Sequence, residues 1–289
     1  MNNEIKAMFE SYQTGNTTAS IYAVKEIIQE VVLHSLSQTD FFSHAAFYGG
    51  TALRIFYGLD RFSEDMDFSL QTKQQDFSIA PYLLAIERGL NSYGFEISAE
   101  QVYKQNQSQV QSAFLKGNTV VHLVKIFSLN PPVSGIPNNA LIKVKLEIDT
   151  EPPEGAKFEK KYKLLPQPYS VMLYDKPSLF AGKLHALLCR NWKQREKGRD
   201  FYDYIWYLRE KVPVNISHLE ARMRQSGHWK TDEPLTILLL QSMLSQRFAD
   251  LDYVTVKKDV APFVPNPSVL DIWNENLFQS ITKDMLDAI

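Results

Sequence analysis

A chain of 289 residues, 44% hydrophobic and 22% charged, can bury a substantial core, and nothing in its composition points to disorder or low complexity. Its formal net charge of -2 excludes a global attraction to nucleic acid, so a polynucleotide partner must be drawn by a local basic patch. A single cysteine, Cys189, excludes an internal disulfide framework and a cysteine-rich zinc site, and suits a reducing cytoplasm. The first residues lack a basic start followed by an apolar core, and no apolar run approaches the roughly 20 residues that span a bilayer, so a cytoplasmic protein without membrane association is expected.

From Ser20 to Ser37 the residues Ile21, Val24, Ile27, Ile28, Val31, Val32 and Leu36 recur at helical intervals, which predicts an amphipathic helix. A strand, a turn at Gly49 and Gly50, a short helix over TALRIFYG and a second strand, DMDFSL, follow. Residues 79–93 predict another helix, ended by Gly94. Then come three strand-like segments, FEISAEQVYK, SAFLKGNTVVHLVKIF and LIKVKLEID, the second read as a hairpin turning at Lys116–Asn118. The charged, proline-bearing stretch 151–163 is expected to loop out of the sheet before YSVMLY resumes it. After Pro177 the pattern is helical: residues 178–212 hold two helices, PLTILLLQSMLSQRF and VLDIWNENLFQSITKDML hold more, and VAPFVPNP connects. The fold class expected is α+β, with a mixed β-sheet core and flanking helices over residues 1–175. A C-terminal helical bundle over residues 176–289 follows.

In DMDFSL the apolar Met66, Phe68 and Leu70 alternate with Asp65, Asp67 and Ser69, so both carboxylates leave on the face opposite the core. Two like charges on one face call for a shared proton or a divalent cation, and Mg²⁺ with oxygen ligands and substrate phosphates suits the pair. Gly49 and Gly50 can present N–H groups to a phosphate at the start of the short helix. Separately, a Gly-Gly pair is an ordinary turn and an Asp-x-Asp pair an ordinary solvated strand face; it is their combination that points to a nucleotide.

LIKVKLEID alternates in the same way and offers Glu147 or Asp149 as a third acid; Glu147, midway along the charged row with Lys145 beside it, is favoured over Asp149. In SLFAGKLHALLCRN, Lys183 and Arg190 share a helical face from which both cations could reach phosphate oxygens, unless that face is merely solvated. His185 and Cys189 lack further metal ligands nearby and read as packing residues. In RDFYDYIWYL, Asp200 and Asp203 share a face, with Phe201, Tyr204, Ile205 and Leu208 expected to be buried on the other. Paired with Lys183 across a helical hairpin, the two aspartates would hold the lysine in place. Lys183, Arg190, Lys193, Arg195, Lys197 and Arg199 make the strongest local basic bias in the chain.

Together these motifs, GG at Gly49 and Gly50, S-x-D-x-D at Ser63, Asp65 and Asp67, the acid at Glu147, K-L-H-A-L-L-C-R from Lys183 to Arg190, and RD-x-x-D at Arg199, Asp200 and Asp203, resemble the AbiEii/AbiGii-type nucleotidyltransferase toxins of the polymerase-beta-like superfamily. The resemblance covers residues 45–70 and 140–210. It implies transfer of a nucleoside monophosphate from a nucleoside triphosphate to an acceptor hydroxyl, with Asp65, Asp67 and Glu147 holding Mg²⁺ or Mn²⁺ and Glu147 also taking the acceptor's proton. Gly49, Gly50 and Thr51 would cradle the triphosphate, with Lys183, Arg54, Arg190 and Lys145 available to its charge. Ser63 would bear on activity, and Asp200 and Asp203 would orient Lys183. Many relatives carry a lysine directly before the first aspartate of the last motif, where this chain has KGRD, so the basic partner of Asp200 is Arg199 or Lys197.

The resemblance further implies a tRNA acceptor, a toxin role in a toxin-antitoxin or phage-defence system, and a cognate antitoxin. The alternatives are transfer to a small molecule or protein side chain, and a catalytically inactive nucleotide-binding module.

Overall fold

A computed structural model describes residues 3–12, 16–74, 76–102, 110–119, 121–122, 136–190 and 196–284. The chain divides into two compact units. Met1–Tyr57, Ser63–Pro152 and Glu159–Leu173 form the first; Gly58–Phe62, Pro153–Phe158 and Tyr174–Ile289 form the second. The second unit therefore includes two short segments that precede residue 175 in the chain.

The first unit is built on a seven-stranded mixed sheet, β1 (Ala45–Tyr48), β2 (Met66–Leu70), β3 (Ser98–Val102), β4 (Val110–Asn118), β5 (Leu141–Asp149), β6 (Phe158–Lys163) and β7 (Tyr169–Tyr174), in the order β3-β4-β5-β2-β1-β7-β6. Central β2 runs antiparallel to β1 and parallel to β5. Its Met66, Phe68 and Leu70 are buried, as are Ile142, Val144, Leu146 and Ile148 of β5, so the alternation in both strands sends apolar side chains into one shared core. Helices α1 (Asn3–Glu10), α2 (Thr17–Ser37), α3 (Phe41–His44), α4 (Gly49–Tyr57) and α5 (Ala80–Ser92) belong to this unit, and α2 packs on α5 and β5. Asn16 caps α2 by accepting a 2.8 Å hydrogen bond from the Ala19 amide.

Two local expectations are corrected. Lys116–Asn118 do not turn: they continue β4, opposite Lys143, Ile142 and Leu141 of β5. A Cβ on Gly117 would stand 2.6 Å from the ring of His122 and 2.9 Å from the Glu96 carbonyl, so this glycine serves a close approach within a strand. The return strand expected over residues 119–127 is not formed where it is described: Thr119, Val121 and His122 are helical, and residues 120 and 123–127 lie outside the described residues. The second half of the 151–163 stretch is β6, at the edge of the sheet, where charged side chains such as Lys160 and Lys161 are tolerated and discourage further pairing.

The second unit is helical: α6 (Lys176–Cys189), α7 (Gly198–Arg209), α8 (Ile216–Gln225), α9 (Ile237–Ala249), α10 (Tyr253–Val260) and α11 (Glu275–Lys283), with 3-10 turns at Ala261–Phe263 and Pro267–Leu270. Asp175 caps α6 through the Ser178 amide at 2.9 Å. An aromatic core holds the bundle: Phe180 stacks on Tyr207 at 4.4 Å, Phe248 meets Phe278 at 5.0 Å, Tyr204 joins the two pairs, and Phe201 packs on the second. The buried face of α7 runs through Phe201, Tyr204, Trp206 and Tyr207, leaving Ile205 and Leu208 half-buried rather than central. No helix among the described residues is long and apolar enough to cross a membrane.

Candidate active site

In the first unit, the register places Asp67 opposite Tyr48 of β1 and opposite Glu147 of β5. Asp149 falls opposite Ser69, and its Oδ1 accepts from the Glu151 amide at 3.0 Å, closing the turn after the strand. Of the two acids on β5, Glu147 is thus the neighbour of Asp67. Gly49 has φ +83°, and a Cβ built on it would lie 2.5 Å from Asp67 Oδ2, so the glycine turn lies with bare backbone against the carboxylate. Gly50 and Thr51 follow in the first turn of α4, where backbone N–H groups favour an anion. Asp65 is exposed just before β2.

The loop carrying these acids is braced from behind. Fully buried Gln29 of α2 donates to the carbonyls of Ser63 at 3.1 Å and Glu64 at 2.9 Å, and Lys25 pairs with Glu64 at 2.8 Å. Thr51 donates its hydroxyl to the Asp65 carbonyl and shares a 2.9 Å hydrogen bond with the Ser63 hydroxyl. One hydroxyl carries one proton, so Ser63 is the donor of the second bond. The Thr51 side chain is fully buried and occupied by the loop; what it offers a phosphate is its backbone N–H.

Arg54, expected near the phosphates, pairs with buried Glu26 of α2 at 2.9 Å, and Glu26 also accepts from the Tyr12 hydroxyl at 3.1 Å. A buried carboxylate needs such a partner, which ties Arg54 to the α2 side of α4. Lys145 pairs with Glu147 at 2.7 Å, and Ser112 donates to the same carboxylate oxygen at 3.4 Å.

In the second unit, Lys183 of α6 meets Asp200 at 2.6 Å and Asp203 at 2.8 Å, both on α7. Arg61 closes the network: Nε and Nη2 donate to the two oxygens of Asp203, each at 2.6 Å, and Nη1 donates to the Phe62 carbonyl at 2.9 Å. Two cations and two carboxylates balance, as nearly complete burial requires. Burial works to raise the Asp200 carboxyl; the combined pull of Lys183, Arg190 and Lys197 outweighs it and holds the group below its ordinary value. Asp200 Oδ2 is buried without a hydrogen-bond partner among the described residues.

Lys183 bonds Asp200 directly and Lys197 acts on it through its charge, while the Arg199 guanidinium lies 4.3 Å over the Phe263 ring. Arg190 is exposed just past the end of α6, and Lys193 and Arg195 lie outside the described residues. Burial pushes the Cys189 thiol up to about 11, which makes it unreactive.

Sequence reasoning missed Gln29 and Arg61. Gln29 carries no signal, being a polar residue on a helix face. Arg61 stands between two acidic stretches in LDRFSED, but its partner lies far along the chain.

Among the described residues no group of three or more His, Cys, Asp or Glu side chains is gathered to hold a metal ion. Mg²⁺ uses one or two carboxylates and takes its remaining ligands from water and phosphates, so Asp65 and Asp67, the latter packed against the bare backbone of Gly49, suit it as an incomplete set. Glu147 stands in register beside Asp67 with its Oε1 paired to Lys145.

The seven-stranded sheet and helical unit define a nucleotidyltransferase fold. A candidate nucleotidyltransferase from H. pylori has a crystal structure that matches with TM-score 0.53 and 18% identity, covering 92% of this chain and 96% of that one. JHP933 from Helicobacter pylori matches with TM-score 0.52 and 18% identity, covering 92% and 94%. The family model for the nucleotidyl transferase AbiEii toxin of type IV toxin-antitoxin systems matches residues 31–275. The chain belongs to the AbiEii nucleotidyltransferase toxin family, and it is a nucleotidyltransferase. A search of curated proteins gives no match.

Proposed function

We propose that this enzyme transfers a nucleoside monophosphate from a nucleoside triphosphate to a hydroxyl at the acceptor end of tRNA, in the presence of Mg²⁺ or Mn²⁺, the hydroxyl oxygen bonding to the α-phosphorus as the bond to the β-phosphate breaks and pyrophosphate leaves, as the toxin of a pair held in check by its antitoxin. The observation that carries the reading is the bare glycine backbone at Gly49 against Asp67, with Glu147 in register on the adjoining strand. Charge and anion-directed N–H groups meet there, as a triphosphate requires.

In this reading Asp65, Asp67 and Glu147 hold the divalent ion. When bound, that ion neutralises charge on the reacting phosphate and lowers the pKa of the attacking hydroxyl. Glu147 accepts the hydroxyl proton, Gly49, Gly50 and the Thr51 amide bind phosphate oxygens, and Thr51, Ser63 and Gln29 keep the acidic loop in place. Lys183, oriented by Asp200 and Asp203, is assigned to phosphate charge, and Arg190 with the basic run after it to the RNA backbone. A family of toxins paired with antitoxins supports the regulatory part.

The test is incubation of the protein with each α-labelled nucleoside triphosphate, Mg²⁺ and total RNA, beside an Asp65→Ala, Asp67→Ala double variant. Label in a tRNA-sized band with the unaltered protein alone supports the proposal. Label in protein or small molecules only, or equal labelling by the variant, overturns it.

A further inference from the structure

A second polar cluster lies in the helical unit, apart from Lys183 and its aspartates. Arg222 of α8 extends across α6, its guanidinium carbon 3.8 Å from where a Cβ on Gly182 would be. Its Nε is buried and has no hydrogen-bond partner among the described residues. Two of the chain's six histidines, His185 and His218, feel its charge, and a third, His228, lies beside His185. His185 of α6 and His228 each bond to the Ser226 hydroxyl, at 2.9 and 3.0 Å, with ring centroids 6.4 Å apart. His218, one turn before Arg222 on α8, is fully buried; its Nδ1 donates to the Glu154 carbonyl at 2.7 Å, and Nε2 is left buried without a partner.

Arg222 forms no ion pair with a carboxylate among the described residues. A fixed cation amid imidazoles repels a metal ion, and no set of three metal ligands is gathered among the described residues. The orphaned atoms instead describe a ligand. Arg222 Nε is a charged donor in want of an anion, while His218 Nε2, whose ring proton is committed to Glu154, is a lone pair in want of a donor. A phosphomonoester or inorganic phosphate, partly protonated near neutrality, carries both features: an anionic oxygen for the guanidinium and a P–OH for the imidazole. Burial, with Arg222 nearby, presses the His185 and His218 rings towards the neutral form, which keeps that lone pair available.

We infer that Arg222, His218, His185 and His228 form a phosphate-binding site that takes a terminal phosphate or free phosphate, separate from the acids of the transfer reaction. Its binding does not depend on that reaction, so the two readings fail independently.

The test uses the full chain at pH 7, following the six histidine Hε1 resonances, assigned by His→Gln variants. The titrants are inorganic phosphate, sulfate, and a short RNA with or without a 5′-phosphate. Phosphate is expected to shift His185, His218 and His228 saturably while His34 and His44 stay put. Sulfate, which brings no proton to Nε2, should bind about tenfold more weakly, and Arg222→Gln should weaken phosphate about tenfold or more. Tighter binding of the 5′-phosphorylated RNA than of phosphate identifies an RNA end as the source; the reverse identifies free phosphate. If Arg222→Gln does not fold, His228→Gln at an exposed position should still weaken binding severalfold. No shift with phosphate, shifts unchanged in both variants, or equal binding of sulfate overturns the inference.

Discussion

Arg61 grips Asp203 with two parallel hydrogen bonds of 2.6 Å, and both side chains are almost fully buried. Removing one member of such a pair leaves the other charged and unsolvated. Arg61→Ala should therefore cost about 3–5 kcal/mol of stability, read as the midpoint shift in urea denaturation. Arg61→Lys, which keeps the charge but loses the fork, should recover only part of it. A loss under about 1 kcal/mol for Arg61→Ala would mean that the network contributes little to the fold.

Gly49→Ala meets two obstacles, a φ of +83° and a Cβ site 2.5 Å from Asp67 Oδ2. Strain of this kind costs about 1–3 kcal/mol, which a large core tolerates. The expected result is a folded protein whose nucleotide transfer falls at least about tenfold, with the melting temperature lowered by a few degrees. Full activity in Gly49→Ala would show that this turn does not shape the site.

Thr51→Val keeps the volume of the side chain and removes its hydroxyl, leaving the Asp65 carbonyl and Ser63 hydroxyl without this partner. The expected destabilisation is about 1–3 kcal/mol, with a fall in kcat rather than a rise in KM because the acids lose their placement. Thr51→Ser should retain most of both. Unchanged kinetics in Thr51→Val would remove the bracing role.

Much of this was legible in the one-dimensional pattern. Alternation in β2 and β5 assigned each strand's faces, because a half-buried strand reports its two environments with a period of two. The face shared by Asp200 and Asp203 was readable from helical spacing, and both aspartates contact Lys183. Gly117 misled: glycine accompanies turns and close approaches alike, and only the neighbouring His122 and Glu96 tell them apart. The charges of residues 158–163 suggested a loop because an edge strand meets water much as a loop does. Gln29, Arg54 and Arg61 were illegible for a common reason, since their partners are set by tertiary packing and not by spacing.

His218 should make stability depend on pH. Burial, aided by Arg222 and opposed by the Glu154 carbonyl and Asp175, presses its folded pKa down to about 4 from an ordinary 6.5. Between those values the unfolded chain binds a proton that the folded chain does not, so stability falls on acidification below 6.5 and is unaffected above it. His185, pressed down to about 3, acts in the same direction. From pH 7 to pH 5 the unaltered protein should lose about 1–2 kcal/mol more than His218→Gln, measured by urea denaturation at each pH. Equal losses would show that this ring titrates alike in both states.

The central proposal, that Asp65 and Asp67 would hold a divalent ion against nucleotide phosphates bound at Gly49–Thr51, is tested most directly by crystals grown with Mn²⁺ and a non-hydrolysable nucleoside triphosphate. An anomalous peak within about 2.0–2.3 Å of an Asp67 oxygen, bridged to the triphosphate and absent in Asp67→Asn, is the result expected. Density for nucleotide and manganese at a place that contacts neither Asp65 nor Asp67 would contradict the account.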